Sequence, residues 1–506
     1  MATVTGTSTA YSTDMDSASG SNIIHRRAKS PNGTVNEAGK KSINRRTQRY
    51  KHVFPVHASS RTSCLSPGAE NPPNFFGFRN LMVLMLIVSN LRLILENFRK
   101  YGVLVCLTCS EYRRQDISYG LILWLSVPIH LFIALLIELV AAQNALGVLK
   151  RKSNGNGGTK QAEQIRRRFR WTWYYIAWAH GINATLNLVV TSTIVYYRIH
   201  SPGIGMLCEL HAIIVWLKAC SYAFTNRDLR HAMLTTAPPD SIPELYRDST
   251  YPNNITLQNL TYFWWAPTLV YQPVYPRTTH IRWLFVAKRV AEALGLVIVI
   301  WFASAQYAAP LLKNSLEKVF TLDIISIFER VMKLSTISLF CWLAGFYAGF
   351  QSALNALAEV MRFGDREFYS DWWNVTSIRT YWTSWNKPVY QFMKRHIYSP
   401  LVGRGVPPSV AQLLVFIFSG ILHELLVGIP THNIIDNPTG VAFFGMMGQI
   451  PLILLTDPLQ KMEGRAPKVA GNVIFWISFC LIGQPLAAIL YFSAWQAKYG
   501  GQAKLL

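Results

Sequence analysis

His423 and Glu424 stand side by side in "SGILHELLVGIP", residues 419–430, inside an apolar run long enough to lie in a membrane. Charge is costly in hydrocarbon, so a histidine there is expected to be neutral, to face the interior of a helix bundle and to have a polar partner. A neutral imidazole is a general base; a packing histidine satisfied by neighbouring helices would leave the same trace in the sequence. Two further polar groups follow in the next apolar runs, Gln449 in "FGMMGQIPL" and Gln484 in "LIGQPLAA". Either glutamine alone would be ordinary interhelical glue. Together with the His-Glu pair they describe a buried polar site near the C-terminal end of the chain. A zinc-protease helix is excluded, because Val427 occupies the place of the second histidine, and His432, just past Pro430, is expected to cap the helix end. The sequence has no Gly-x-Ser-x-Gly elbow, no phosphate-cradling Gly-Lys-Thr loop and no metal-ligand cluster. One base without a partner nucleophile suits direct transfer to a substrate's own hydroxyl, with no covalent intermediate and no cofactor.

Such a base needs a scaffold, and the composition supplies one. Of 506 residues 51% are hydrophobic and only 15% charged, the balance of an integral membrane protein. A bilayer core of about 30 Å takes about 20 helical residues at 1.5 Å each. Nine stretches meet or approach that length, near 80–98, 118–142, 171–196, 203–225, 288–309, 328–355, 408–430, 440–456 and 470–495. The fold class expected is therefore all-α and polytopic, with about nine membrane helices around a buried chamber in residues 76–500. Residues 1–75 carry ten Lys or Arg against four Asp or Glu and no apolar period, which reads as a disordered basic tail left in the cytosol. Nine spans then put 143–170, 226–287, 356–407 and 457–469 in the cytosol and the C-terminus in the lumen. The charges agree, since 356–407 is rich in Lys and Arg and 431–439 has neither. The net charge of +23 fits these loops facing anionic lipid or a phosphorylated substrate better than it fits nucleic acid. Seven scattered cysteines, with "CLTC" the one close pair, read as buried thiols.

Two of the cytosolic segments mix large aromatics with cations: "YFWWAPTLVYQPVYPRT" and the amphipathic 356–407. Within the second, "FYSDWWN" (Phe368, Tyr369, Asp371, Trp372, Trp373, Asn374) resembles the Phe-Tyr-x-Asp-Trp-Trp-Asn signature of the diacylglycerol and sterol acyltransferase branch of the membrane-bound O-acyltransferases, fungal-type members included. "RHIYSP", "SGILHELLVGIP", "GMMGQIPL", "GNVIFWISFCLIGQP" and "LRLILENFRKYG" look like the diacylglycerol side of that branch, whereas "PTLVYQPVYPRTTHIRW" is as similar to fungal sterol acyltransferases. The resemblance runs from Asn74 to Tyr499.

It implies an endoplasmic-reticulum enzyme, a homodimer or homotetramer, that transfers an acyl chain from acyl-CoA to diacylglycerol to give triacylglycerol, or to a sterol in the sister branch. By this resemblance His423 is the base, Asn386 lies by the thioester, Gln449 and Gln484 line the chamber, and Glu424 helps to hold the histidine. For acyl-CoA the implied contacts include Trp382, Trp385, Asn386, Tyr390, Tyr398 and Arg404, with Lys387 and Arg395 close enough to add charge for its phosphates. Two positions depart from the pattern: Tyr390 stands where the family has histidine, and Gln412 stands near an expected cationic contact. The class furthest from this reading, a transporter with two similar halves, is disfavoured because the aromatic-basic loop and the His-Glu run each occur once.

Overall fold

Long apolar runs with few internal breakers become long helices, and these dominate the computed structural model, which describes residues 76–104, 113–154, 159–235, 244–434 and 440–499. The expected basic tail, 1–75, lies outside the described residues, as do Cys64, Cys106 and Cys109. The chain divides into two units, Met1–Arg92 and Leu93–Leu506. Helix α1 (Phe76–Tyr101) begins in the first.

The second unit continues with α2 (Arg114–Ser126), α3 (Ile129–Asn154), α4 (Thr159–Arg198) and α5 (Pro202–Thr235). After α6 (Leu257–Trp265) come α7 (Trp283–Ala303), α8 (Ile324–Phe346) and α9 (Leu354–Val360), the last two joined by a π-helical turn, Tyr347–Ala353. Short α10 (Ile378–Ser384) and α11 (Lys387–Met393) precede α12 (Pro408–Gly428), α13 (Val441–Met447), α14 (Gln449–Lys461), α15 (Arg465–Ile477) and α16 (Gln484–Tyr499).

Seven described helical runs are long and apolar enough to cross a membrane: 80–101, 114–150, 202–234, 324–360, 408–428, 441–461 and 465–499. Of the nine stretches expected, 171–196 and 288–309 are helical but not among the seven. The first carries His180, Asn183 and Asn187, which are buried against other helices, and the second itself opens with Lys288, Arg289 and Glu292, five to nine residues into the helix Trp283–Ala303. Hydropathy averaged over a window registers such residues as polar even when the fold satisfies them internally.

Small residues let α3, α4 and α5 approach: Ala134, Ala142, Ala184, Ala212 and Ala219 are all buried in one cluster. Several buried polar groups there are paired. Glu138 on α3 forms an ion pair with Arg230 on α5, accepts from Tyr251 Oη at 2.8 Å and lies 3.3 Å from His180 Nε2 on α4. Lys218, also buried, donates to the carbonyls of Phe263, Trp264 and Ala266 at 2.8–2.9 Å, satisfying acceptors at the end of α6 and pinning it to α5.

The two aromatic-basic segments, which the sequence leaves as separate loops, pair with each other. Arg277 bridges Phe363, Thr278 N–H donates to Arg362 O at 2.9 Å, and Gly364 N–H donates to Pro276 O at 2.8 Å. Glu359 at the end of α9 takes Arg282 from one segment at 2.9 Å and Arg366 from the other.

Candidate active site

The helix carrying His423 starts at Pro407-Pro408, where a missing N–H costs nothing in the first turn, and ends at Gly428. Its partner α13 is brought close at Gly420, where an added Cβ would sit 2.9 Å from the Phe443 ring. One turn further on, His423 Nδ1 lies 2.8 Å from the Ser419 carbonyl oxygen. A carbonyl can only accept, so Nδ1 carries the proton and donates. Nε2 then keeps its lone pair, and among the described residues it has no hydrogen-bond partner.

Among the described residues no hydrogen bond joins Glu424 to His423. Consecutive helix positions point about 100° apart, and the Glu424 carboxylate turns to α13 and α16, accepting from Phe443 N–H at 3.1 Å and Tyr491 Oη at 2.8 Å. In this structure it ties three helices together beside His423. His432 also differs from its expected place at a helix cap: it is buried, with Nε2 3.2 Å from the Ile199 carbonyl and Nδ1 3.1 Å from Tyr499 Oη.

Asn386 is the N-cap of α11, its Oδ1 accepting from Val389 N–H at 3.2 Å. The cap fixes which end of the amide is which, and leaves the NH₂ group to donate elsewhere. Gln449, at the start of α14, donates Nε2 to Gly445 O at 3.2 Å and so keeps Oε1 free of that bond, whereas Gln484, at the start of α16, accepts from Ser338 Oγ at 3.5 Å and keeps its NH₂. Packing gathers these elements. Val389, Phe392 and Met393 of α11 share a cluster with Leu422, Leu425 and Leu426 of α12, and Met446, Met447 and Ile450 around Gln449 share another with Phe416, two turns before His423.

The signature motif forms the middle of that second cluster. Trp372 is 1% exposed, with the rings of Trp342, Phe346, Trp476 and Phe475 at 5.0–6.4 Å. A tryptophan of an interfacial aromatic belt would face lipid or water, whereas Trp372 is enclosed. Phe368 is buried as well, and Tyr369 donates to Gln351 at 2.6 Å. By contrast Asp371, Trp373 and Asn374 are exposed, and the Asp371 carboxylate makes no cap bond to the short helical turn it precedes. Trp382 meets Phe416 of α12 at 5.9 Å, and Trp385 stacks on Tyr381 at 5.9 Å.

The remaining coenzyme candidates divide. Tyr390 lies under the Lys394 ammonium, Tyr398 is half-buried in the π-helical turn Lys394–Tyr398, and Lys387 is tied to Glu367. Arg404 is exposed and lines a cavity of about 470 Å³ with Arg395 and the end of α5; His423 is not among its lining residues. A cation does lie beside position 412: Arg379 Nη1 donates to Gln412 Oε1 at 2.6 Å while its Nε donates to Asp457 at 2.7 Å. Ser419 could have been found from its spacing of four residues before His423. Tyr491 and Asp457 could not, since nothing local marks them.

The model of the membrane-bound O-acyltransferase family matches residues 213–493, a range that takes in the motif and every candidate above. A diacylglycerol O-acyltransferase 1A from Glycine max is 33% identical over 453 residues, covering 88% of this chain and 82% of that protein. A diacylglycerol O-acyltransferase 1 from Arabidopsis thaliana is 35% identical over 451 residues, covering 88% and 78%. One from Dictyostelium discoideum is 36% identical over 435 residues, covering 85% and 64%. With the helical bundle, the motif and these matches in agreement, the chain belongs to the membrane-bound O-acyltransferase family.

Proposed function

We propose that this protein transfers the acyl chain of acyl-CoA to the free hydroxyl of diacylglycerol, forming triacylglycerol in the endoplasmic reticulum membrane, with His423 as general base. The observation that carries the mechanism is the 2.8 Å contact of His423 Nδ1 with the Ser419 carbonyl, which leaves Nε2 as the proton acceptor. The choice of acceptor rests on the relatives, whose names are those of diacylglycerol acyltransferases.

In this reading His423 Nε2 takes the hydroxyl proton as the oxygen attacks the thioester carbonyl carbon. The amide NH₂ of Asn386, left over from its cap, donates to the developing oxyanion, and the Gln484 NH₂ is a second donor in the same role. Fixed donors in a water-poor site stabilise such charge strongly. The carbon–sulfur bond then breaks, the imidazolium returns the proton to the thiolate, and CoA leaves as the thiol. No acyl-enzyme forms.

The test uses microsomes from cells lacking their own neutral-lipid acyltransferases, given labelled oleoyl-CoA with diacylglycerol or with a sterol. Label in triacylglycerol, lost in His423→Ala, is the expected result. Label in sterol ester would move the acceptor to the sister branch, and no ester of either kind would remove the enzymatic reading.

A further inference from the structure

We propose that Arg379 is a positioning residue for the acyl transfer, its guanidinium setting the register among the three helices that carry His423, Gln449 and Asn386. The role presupposes the acyltransferase reading above. Arg379 stands in the first turn of α10, which ends at Ser384 and delivers Asn386 two residues later. Its Nε donates to Asp457 Oδ2 on α14 at 2.7 Å, and its Nη1 donates to Gln412 Oε1 on α12 at 2.6 Å. One planar fork therefore joins α10 to α14, which begins at Gln449, and to α12. His423 lies eleven residues along α12 from Gln412, about 16 Å at 1.5 Å per residue.

An exposed ion pair by itself would be worth little, but Asp457 serves a wider network. Its other oxygen accepts from Ser377 Oγ at 2.6 Å, and Ser377 Oγ in turn accepts from Arg379 N–H at 3.1 Å as the N-cap of α10. Thr456, the residue before Asp457, accepts from Ile378 N–H at 3.1 Å. Both Ser377 and Thr456 are buried. The first turn of α10 is thus satisfied partly by its own cap and partly by α14. At the other end Ser384 O accepts from Ser370 N–H at 2.9 Å and Lys387 N–H donates to Phe368 O at 3.0 Å, fastening the Asn386 end to the motif. A helix of seven residues has too few internal bonds to hold itself, so these end contacts place it.

Those contacts fix α10 against α14 and the motif, and leave its register with α12 to Arg379. Among the described residues the Arg379–Gln412 bond is the one hydrogen bond between α10 and α12. The ring contact of Trp382 with Phe416 at 5.9 Å is apolar packing, which is non-directional and tolerates sliding. Reacting groups must hold their mutual geometry to within about 0.5 Å, and a misplacement of about 1 Å can cost about a hundredfold in rate.

The experiment measures kcat and KM of the full chain in nanodiscs with labelled oleoyl-CoA and diacylglycerol, well below Tm and per folded molecule. It compares wild type, Arg379→Gln, Gln412→Leu, their double variant and Arg379→Lys. Both single variants are expected to lose about tenfold in kcat, the double variant no more than either, with the KM for oleoyl-CoA within about twofold of wild type. Arg379→Lys, which keeps the pair with Asp457 but reaches only one partner at a time, should fall between. A merely structural role would lower Tm and the folded fraction without changing kcat per folded molecule, and that result overturns the proposal. So does a raised KM in Arg379→Gln with Gln412→Leu unaffected, which would make Arg379 a coenzyme contact, and so do losses in the single variants that multiply in the double. Wild type that makes no ester would instead remove the acyltransferase reading and this role with it.

Discussion

Replacing His423 by Gln keeps a polar side chain of similar reach and removes the basic nitrogen. The structure sets the size of each consequence. Among the described residues the ring bonds only to Ser419, at 2.8 Å to its carbonyl and 3.4 Å to its Oγ, so the expected loss in stability is about that of one hydrogen bond, about 0.5–1.5 kcal/mol. If Nε2 is the general base, the loss in rate is about 10²–10⁴, or roughly 2.7–5.4 kcal/mol of barrier at 1.36 kcal/mol per decade. The KM for acyl-CoA is expected to move little, because the basic group acts on the acceptor's hydroxyl. Initial rates with labelled oleoyl-CoA on purified protein in nanodiscs, together with Tm, measure all three. A variant that melts like wild type and retains more than a tenth of its turnover would refute the assignment of the base.

The motif should split in two by thermal unfolding. Trp372→Ala empties a site enclosed by several rings and is expected to cost about 3–5 kcal/mol, whereas Asp371→Ala, at an exposed position, should stay within about 0.5 kcal/mol. Glu138→Leu strands the buried Arg230 guanidinium without its anion, so a loss of about 3–5 kcal/mol is expected, larger than for Arg227→Leu at its exposed pair. His396 has a folded-state pKa depressed to about 4 from an ordinary 6.5, so the folded form binds fewer protons than the unfolded one. Its contribution is therefore present above about pH 6.5 and lost as pH falls toward 4. Between about pH 7 and pH 5 the Tm of wild type should fall further than that of His396→Gln, and equal falls would count against the depressed value.

The sequence by itself determined what depends on local composition and period. Runs of about 20 apolar residues must satisfy their backbone bonds internally, which makes them helices wherever they pack. Hence the all-α class, most of the spans, the place of His423 within one of them and the motif "FYSDWWN" were all legible. Even the tautomer of His423 was within reach, because its partner lies four residues back on the same helix. What only the tertiary structure decided are relations between residues far apart in the chain. Glu424 adjoins His423 in sequence, yet the helical twist sends its carboxylate to Phe443 and Tyr491. Arg379 reaches Gln412 from 33 residues away, and Arg227 lines one cavity with Arg395 and Arg404 because α5 and the 394–404 segment pack there. Periodicity tells a side chain which way to face along its own helix, but the identity of its partner is set by which other helix fills that face.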